Sequence, residues 1–294
     1  MKDYVIITDS CSDMTTEERK FYGVDYVKMN VVIDGKELPA DLDWKEFSPR
    51  EFYDTMRGGK RITTTQVPPA EFQSVFGNYL KEGKDIVYIG CSSALSGSVN
   101  TAAVIAKELK EQYPEREIYC VDTLNSCHGE AMIAMKAAEM KREGKSAEEV
   151  CGWIEENKLK FNQIAPVGDL TYLKRAGRVK ASTAFFGNLL GVKPIIISDA
   201  RGNNFAVKKV KGRRKSLEEA VNMVKDAITD TEGTVYVCHA DCAEDAETVK
   251  NLLLESVKCK DVKIEYIGPI IGASTGPGTI GVYFFGKEVT EAGE

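Results

Sequence analysis

Histidine is scarce in this sequence: His128 and His239 are the only two, far apart in the chain. A histidine-rich metal site is therefore not expected. The pattern G-x-x-x-x-G-K-[ST] is missing, so there is no Walker phosphate loop. No apolar run approaches the about 18 residues of a membrane span. The N-terminal MKDYVIITDS holds only a few apolar residues before Asp9, too few for a signal peptide. None of the eight cysteines forms a C-x-x-C pair. They read as reduced thiols serving as small core residues, and the expected location is the cytoplasm. No cofactor and no metal are expected.

Acidic residues are nearly absent from one stretch. Residues 166–215 carry 12 Lys and Arg against 2 Asp and Glu, while the rest carries 27 against 43, within a net charge of −6. One basic segment in an acidic protein argues against general nucleic-acid binding. Two readings of it stay open: a surface for one local anionic partner, or a solvated loop. At 294 residues and 43% hydrophobic content the chain has material for about two domains with real cores.

What is present centres on residues 86–101, IVYIGCSSALSGSVNT. A buried strand breaks into glycine and serine, then resumes as a helix with Val99, Ala102, Ala103, Ala106 and Leu109 on one face. Such a loop aims free N–H groups and the positive helix end at whatever lies above it, which suits an anion. Ser92, Ser93, Ser96 and Ser98 exceed what one helix cap needs. Tyr4–Thr8 reads as a first strand ending in Asp9-Ser10-Cys11-Ser12-Asp13, and Thr15–Tyr22 as a short helix. Tyr26–Ile33 reads as a second strand, and Ile118–Asp122 as another. Capping boxes begin at Ser48, Ser146 and Ser216. Strands alternating with helices imply a parallel sheet, whose ligands lie beyond the carboxyl ends of the strands. That gathers residues 9–13, 90–97 and 122–129 at one rim, and the threonines at 63–65, before a proline-started helix, could join them. After about residue 163 strands cluster. The expected fold is α/β in two domains: residues 1–163 as a doubly wound parallel-sheet domain and residues 164–294 as an α+β domain, with the ligand at the seam.

Two patterns near the C-terminus fail their context. Residues 276–281 fit G-x-G-x-x-G, but a strand-like VYFF follows where a helix is required. Residues 272–276 fit G-x-S-x-G, but no histidine lies beyond His239 to complete a triad. A tight loop beside a ligand is expected there instead.

Taken together, TDSCSDM (8–14), TTQVPPAEF (64–72), SSALSGS (92–98), VDTLNSCHG (121–129), LTYLKRAGRV (170–179), LLGVKPII (189–196) and IGASTGPGTIG (271–281) resemble the DegV family of bacterial fatty-acid-binding proteins. The resemblance implies two α/β domains with a fatty acid between them, the carboxylate at the seam and the acyl chain in the C-terminal domain. By motif, Thr64 or Thr65 and Ser93 or Ser96, with the Gly97 backbone, match the positions that hold the carboxylate. Ser274 stands where the family often has histidine; it can donate a hydrogen bond but carries no charge. Phe185, Phe186, Leu189, Leu190, Ile195 and Ile270 are candidate acyl-chain walls, each also a plausible ordinary core residue.

The implied function is a binding protein, not an enzyme. It would hold a long-chain fatty acid and present the carboxylate to a separate fatty acid kinase for acyl-phosphate formation in phospholipid synthesis. Arg178, Lys211, Arg213, Arg214 and Lys215, with Lys208 and Lys209, would be the docking surface. The rivals are a serine-dependent acyl hydrolase or transferase with Ser93 or Ser96 as nucleophile and His128 as base, and a binder of a phosphorylated metabolite.

Overall fold

The apolar runs at Tyr4–Asp9 and Asp85–Gly90 are buried along their whole length, as strands covered on both faces must be. In the computed structural model, which describes residues 2–180 and 191–293, they are the central strands of a parallel sheet. The chain runs β1 (Tyr4–Asp9), α1 (Thr16–Tyr22), β2 (Val24–Val27), β3 (Asn30–Ile33), β4 (Lys36–Pro39), α2 (Pro49–Arg57), β5 (Thr63–Thr65), α3 (Pro69–Lys81), β6 (Asp85–Gly90), α4 (Ser98–Gln112), β7 (Ile118–Asp122), α5 (His128–Arg142) and α6 (Ala147–Asn157). The parallel sheet has the order β2-β1-β6-β7. The chain winds outward from β1 to β2 and then back to β6 on the other side, so β1 and β6 flank the point where strand order reverses. That is where open α/β sheets make their ligand crevice.

The expected single strand Tyr26–Ile33 is two. β2 stays in the parallel sheet, and β3 joins a small antiparallel sheet of order β4-β3-β5. Side chains take the amides between them: Lys28 donates to Glu71 Oε1 at 3.2 Å and Met29 to Ser10 Oγ at 3.1 Å. Thr63–Thr65, expected as a lead-in to a helix, is strand β5, with Thr64 opposite Val31. Three β-branched residues in a row suit that role.

The second half continues as β8 (Phe161–Pro166), α7 (Leu170–Ala176), β9 (Val192–Ser198), β10 (Asn204–Lys211), α8 (Arg213–Ala227), β11 (Thr234–His239), α9 (Ala243–Ser256), β12 (Asp261–Tyr266), α10 (Pro269–Thr275) and β13 (Ile280–Phe285). Six of these strands form a mixed sheet of order β10-β9-β8-β13-β11-β12. The architecture is therefore a parallel-sheet domain followed by a mixed-sheet domain. A cut between residues 163 and 164 falls inside β8, which pairs only within the second sheet.

Capping boxes at Thr15, Ser48 and Ser146 start α1, α2 and α6. The box expected at Ser216 does not. α8 begins at Arg213, so Ser216 lies inside it and donates to the Arg213 carbonyl at 2.7 Å; Glu219 instead pairs with Lys208. The tight loop expected over residues 272–276 is largely helix α10, opened by Pro269 in its first turn. Among the described residues no helix is long and apolar enough to cross a membrane.

Candidate functional site

The three rim loops meet as the alternation of strands and helices requires. Asp9 Oδ2 accepts the Tyr88 hydroxyl at 2.6 Å and the Cys91 amide at 3.2 Å. The Cys11 amide binds Asp9 Oδ1 at 2.8 Å. Cys127 N–H donates to the Cys11 carbonyl at 2.7 Å, and Ser92 N–H to the Asn125 carbonyl at 2.8 Å. Burial raises the Asp9 carboxyl above its ordinary value, against the pull of the Tyr88, Cys11 and Cys91 hydrogen bonds. The second domain closes on this rim. Ser92 Oγ donates to the Gly202 carbonyl and Ser198 Oγ to the Leu124 carbonyl, both at 2.8 Å, and Tyr53 of α2 donates to the Ile267 carbonyl at 2.7 Å. Gly202 sits at φ +76°, and a Cβ there would lie 2.2 Å from Ser92 Oγ, so this seam needs glycine.

Between the domains lies a cavity of about 740 Å³, counting its open mouth. Thr64, Thr65, Ser96, Gly97, Ser274, Ile270 and Arg178 all line it. These come from β5, the loop before α4, α10 and the turn after α7, elements far apart in the sequence. Their hydrogen bonding separates them. Thr65 Oγ1 donates to Glu37 at 2.8 Å. Ser96 Oγ lies 3.0 Å from Ser98 Oγ and accepts the Ser98 amide at 3.3 Å. Among the described residues the hydroxyls of Thr64 and Ser274 and the Gly97 amide have no protein partner. A Cβ on Gly97 would come within 2.1 Å of Gln66 Oε1, so a larger residue there would push the Gln66 side chain aside.

Two expected residues stand elsewhere. Ser93 is exposed, and its amide binds Asp122 Oδ1 at 3.1 Å outside the cavity. Ile195 is packed in the core under α8, with Leu217 and Val221 in the same cluster. Its neighbour Ile196 lines the cavity, because successive strand side chains point to opposite faces. Phe185, Phe186, Leu189 and Leu190 lie outside the described residues.

The basic segment also divides. Arg178 donates to the Leu95 carbonyl at 2.9 Å at the cavity wall. Arg213 is a structural clasp: it pairs with Asp245 at 2.8 Å and donates to the Gly278 carbonyl at 2.7 Å and that of Pro166 at 3.3 Å. Arg214 pairs with Glu218 at 3.0 Å, while Lys211 and Lys215 are exposed. Arg178 is thus the one member of the expected set at the cavity, and further cations lie beside it. An adjoining depression shares Thr64 and Ser274 with it and carries Lys60, Arg61 and Arg175.

Gln163 and Asn204 were not foreseen. Both are buried cavity residues on strands, linked at 3.0 Å, and Asn204 also donates to the Arg178 carbonyl at 3.1 Å. Gln163 lies on a strand that is buried along its whole length, and a polar residue there was the available signal. Met29, Ile267 and Ile271 add apolar wall. His128, the candidate base, is fully buried and stacks on Tyr236 at 4.9 Å; it does not line the cavity.

The family described as "Uncharacterised protein, DegV family" matches residues 3–287. A DegV domain-containing protein of Clostridium perfringens is 39% identical over 289 residues, covering 97% of this chain and 98% of that one. The structure is similar to that of a fatty-acid-binding DegV family protein from Thermus thermophilus, with a TM-score of 0.87 and 28% identity over 98% of this chain and all of that one. It is also similar to a DegV lipid-binding protein from Thermotoga maritima, with a TM-score of 0.85 and 28% identity over 98% of this chain and all of that one. Spanned almost end to end by the family and by relatives of matching length, the chain belongs to the DegV family.

Proposed function

We propose that this protein binds a long-chain fatty acid in the cavity between its domains, with the carboxylate at Thr64, Ser96, Gly97 and Ser274. One observation carries the reading: uncommitted hydroxyls and a free amide converge on a cavity whose remaining wall is largely apolar. Neutral donors satisfy a carboxylate well when they are preorganised, and charge-assisted hydrogen bonds are the strong ones. The acyl chain would add about 0.8 kcal/mol per buried CH₂. The fatty-acid and lipid binding named for the Thermus and Thermotoga proteins supports the same ligand class.

The protein acts as a carrier in this reading. It presents the carboxylate to a separate fatty acid kinase, which forms an acyl phosphate for phospholipid synthesis. The exposed cations Lys60, Arg61 and Arg175, beside Thr64 and Ser274, support this. A transferring phosphoryl group and an acidic partner surface both need positive charge there. The docking surface is therefore assigned to these residues rather than to Arg213 and Arg214, which are engaged within the second domain.

Mass spectrometry of the protein under native conditions tests the ligand. A long-chain carboxylic acid bound one to one is expected. A phosphorylated metabolite in its place, or failure to take up oleate, overturns the reading.

A further inference from the structure

We propose that Cys127, His128 and Cys238, with Asp13 as fourth donor, form a transition-metal site, zinc by its ligand chemistry, that pins the two domains together beside the ligand cavity. The sulfurs of Cys127 and Cys238 and a ring nitrogen of His128 lie within 4.8 Å of one another, all of them buried. The Asp13 carboxylate rests against Cys127. Among the described residues, neither oxygen of Asp13 and neither ring nitrogen of His128 has a hydrogen-bond partner. Both residues are nonetheless sealed from solvent, at 5% and 0% exposure. Buried polar atoms without partners are costly, and evolution rarely leaves several at one point. A divalent cation would take the Asp13 carboxylate and one ring nitrogen of His128 together, leaving the other nitrogen to Glu18.

The donor types narrow the ion. Two thiolates and an imidazole are soft and borderline ligands that suit zinc, and a carboxylate completes four. A tetrahedral zinc shell holds its donors about 3.3–3.8 Å apart, so side-chain shifts of about an ångström close the Cys127, His128 and Cys238 part of this one, and the Asp13 carboxylate must turn in from beside Cys127 to complete it. His128 Nε2 lies 3.5 Å from Glu18 Oε2. A carboxylate behind the far nitrogen orients a ligating imidazole, which leaves Nδ1 as the ligand atom. Each thiol gives its proton to solvent on ligation, with no change of oxidation state. Four protein donors leave no open position, so the site is structural rather than catalytic.

Its place in the fold gives it a task. Asp13 follows β1, Cys127 and His128 open α5, and Cys238 lies on β11 of the second domain. Ser126 and Cys11, each beside a donor loop, line the ligand cavity. A metal here fixes the seam against which the ligand packs, whatever that ligand is.

The test uses the full chain under reducing conditions. Metal analysis of protein purified without chelator is expected to show one zinc per chain. Chain unfolded in chelator and refolded with Co²⁺ is expected to show thiolate-to-cobalt charge transfer at one equivalent. Cys238→Ser and His128→Gln are expected to weaken Co²⁺ binding at least 100-fold, while Cys259→Ser, remote from the cluster, leaves it unchanged. Should those variants fail to refold, Glu18→Gln, which removes no donor, is expected to weaken binding about tenfold through the imidazole. Refolded wild type that takes up no Co²⁺, or a cobalt spectrum and affinity unchanged by Cys238→Ser or Glu18→Gln, overturns the proposal.

Discussion

The buried carboxylate of Asp9 accepts the Tyr88 hydroxyl at 2.6 Å, joining the ends of the two strands at which the parallel sheet reverses its order. The same carboxylate holds the Cys11 and Cys91 amides, so one side chain shapes both loops that begin the rim. Asp9→Ala leaves the fully buried Tyr88 hydroxyl and two amides unpartnered. A loss of about 3 kcal/mol in urea unfolding is expected, and a smaller loss of about 1–2 kcal/mol for Tyr88→Phe. Equal stability of Asp9→Ala and wild type would contradict this role.

The head-group assignment separates neighbouring hydroxyls. Thr64→Ala and Ser96→Ala are expected to weaken fatty-acid affinity about tenfold each, the scale of one hydrogen bond to a charged group. Thr65→Ala, whose hydroxyl serves Glu37, and Ser93→Ala, which faces away, should change it little. Competition against a fluorescent fatty acid measures all four. Full affinity in both Thr64→Ala and Ser96→Ala refutes the site.

Two adjacent isoleucines should behave oppositely. Ile195→Ala opens a void in the core under α8 and is expected to cost about 2–4 kcal/mol with little effect on bound chain length. Ile196→Val, at the cavity wall, is expected to keep stability within about 1.5 kcal/mol while shifting the profile of captured fatty acids. Thermal unfolding and mass spectrometry of the bound acids separate the two effects.

The cations at the cavity mouth set the expected partner coupling. Charge reversal at Arg61 and Arg175 should slow phosphorylation of the bound acid by the proposed kinase partner more than tenfold, and added salt should reduce it in wild type. Reversal at Arg214, which is exposed on α8 beside Glu218, should not. The opposite ranking would return the docking surface to the 211–215 segment.

Acid should loosen the strap that carries Met29. Burial pushes the Asp41 carboxyl upward, but Lys28, the Asp43 amide and Lys45 outweigh it and hold it below its ordinary 3.8. A carboxyl depressed in the folded state contributes stability above its unfolded value, and that contribution is lost as pH falls through the folded one. Asp41→Asn is thus expected to be less stable than wild type at pH 7, with the gap narrowing below about pH 4. A gap that stays constant down to pH 2 would show that the ion pairs with Lys28 and Lys45 contribute nothing.

Local chemistry was legible without the structure. Ser48 and Ser146 announce helices because a hydroxyl and a carboxylate three residues on satisfy each other's backbone N–H groups. Glycines and serines after an apolar strand announce a loop, part of which lines the cavity, and alternation of strands with helices brings such loops to one rim. Ser216 misled because the same letters inside a helix let the hydroxyl bond the turn behind it.

What the chain alone determined, then, is most of its alternation of strands and helices, the caps at Ser48 and Ser146, its rim loops and its family, since each depends on residues within a few positions or on motif order. Tertiary structure separated the members of adjacent pairs: Ser96 lines the cavity and Ser93 does not, Ile196 lines it and Ile195 does not, and of Thr64 and Thr65, which both line it, only Thr65 gives its hydroxyl to Glu37. A strand or loop turns neighbouring side chains to different sides, and only the packing of the second domain shows which side holds the cavity. It also made Arg213 a clasp, moved the mouth's charge to Lys60, Arg61 and Arg175, and set Cys127 and His128 against Cys238, residues that no local spacing connects.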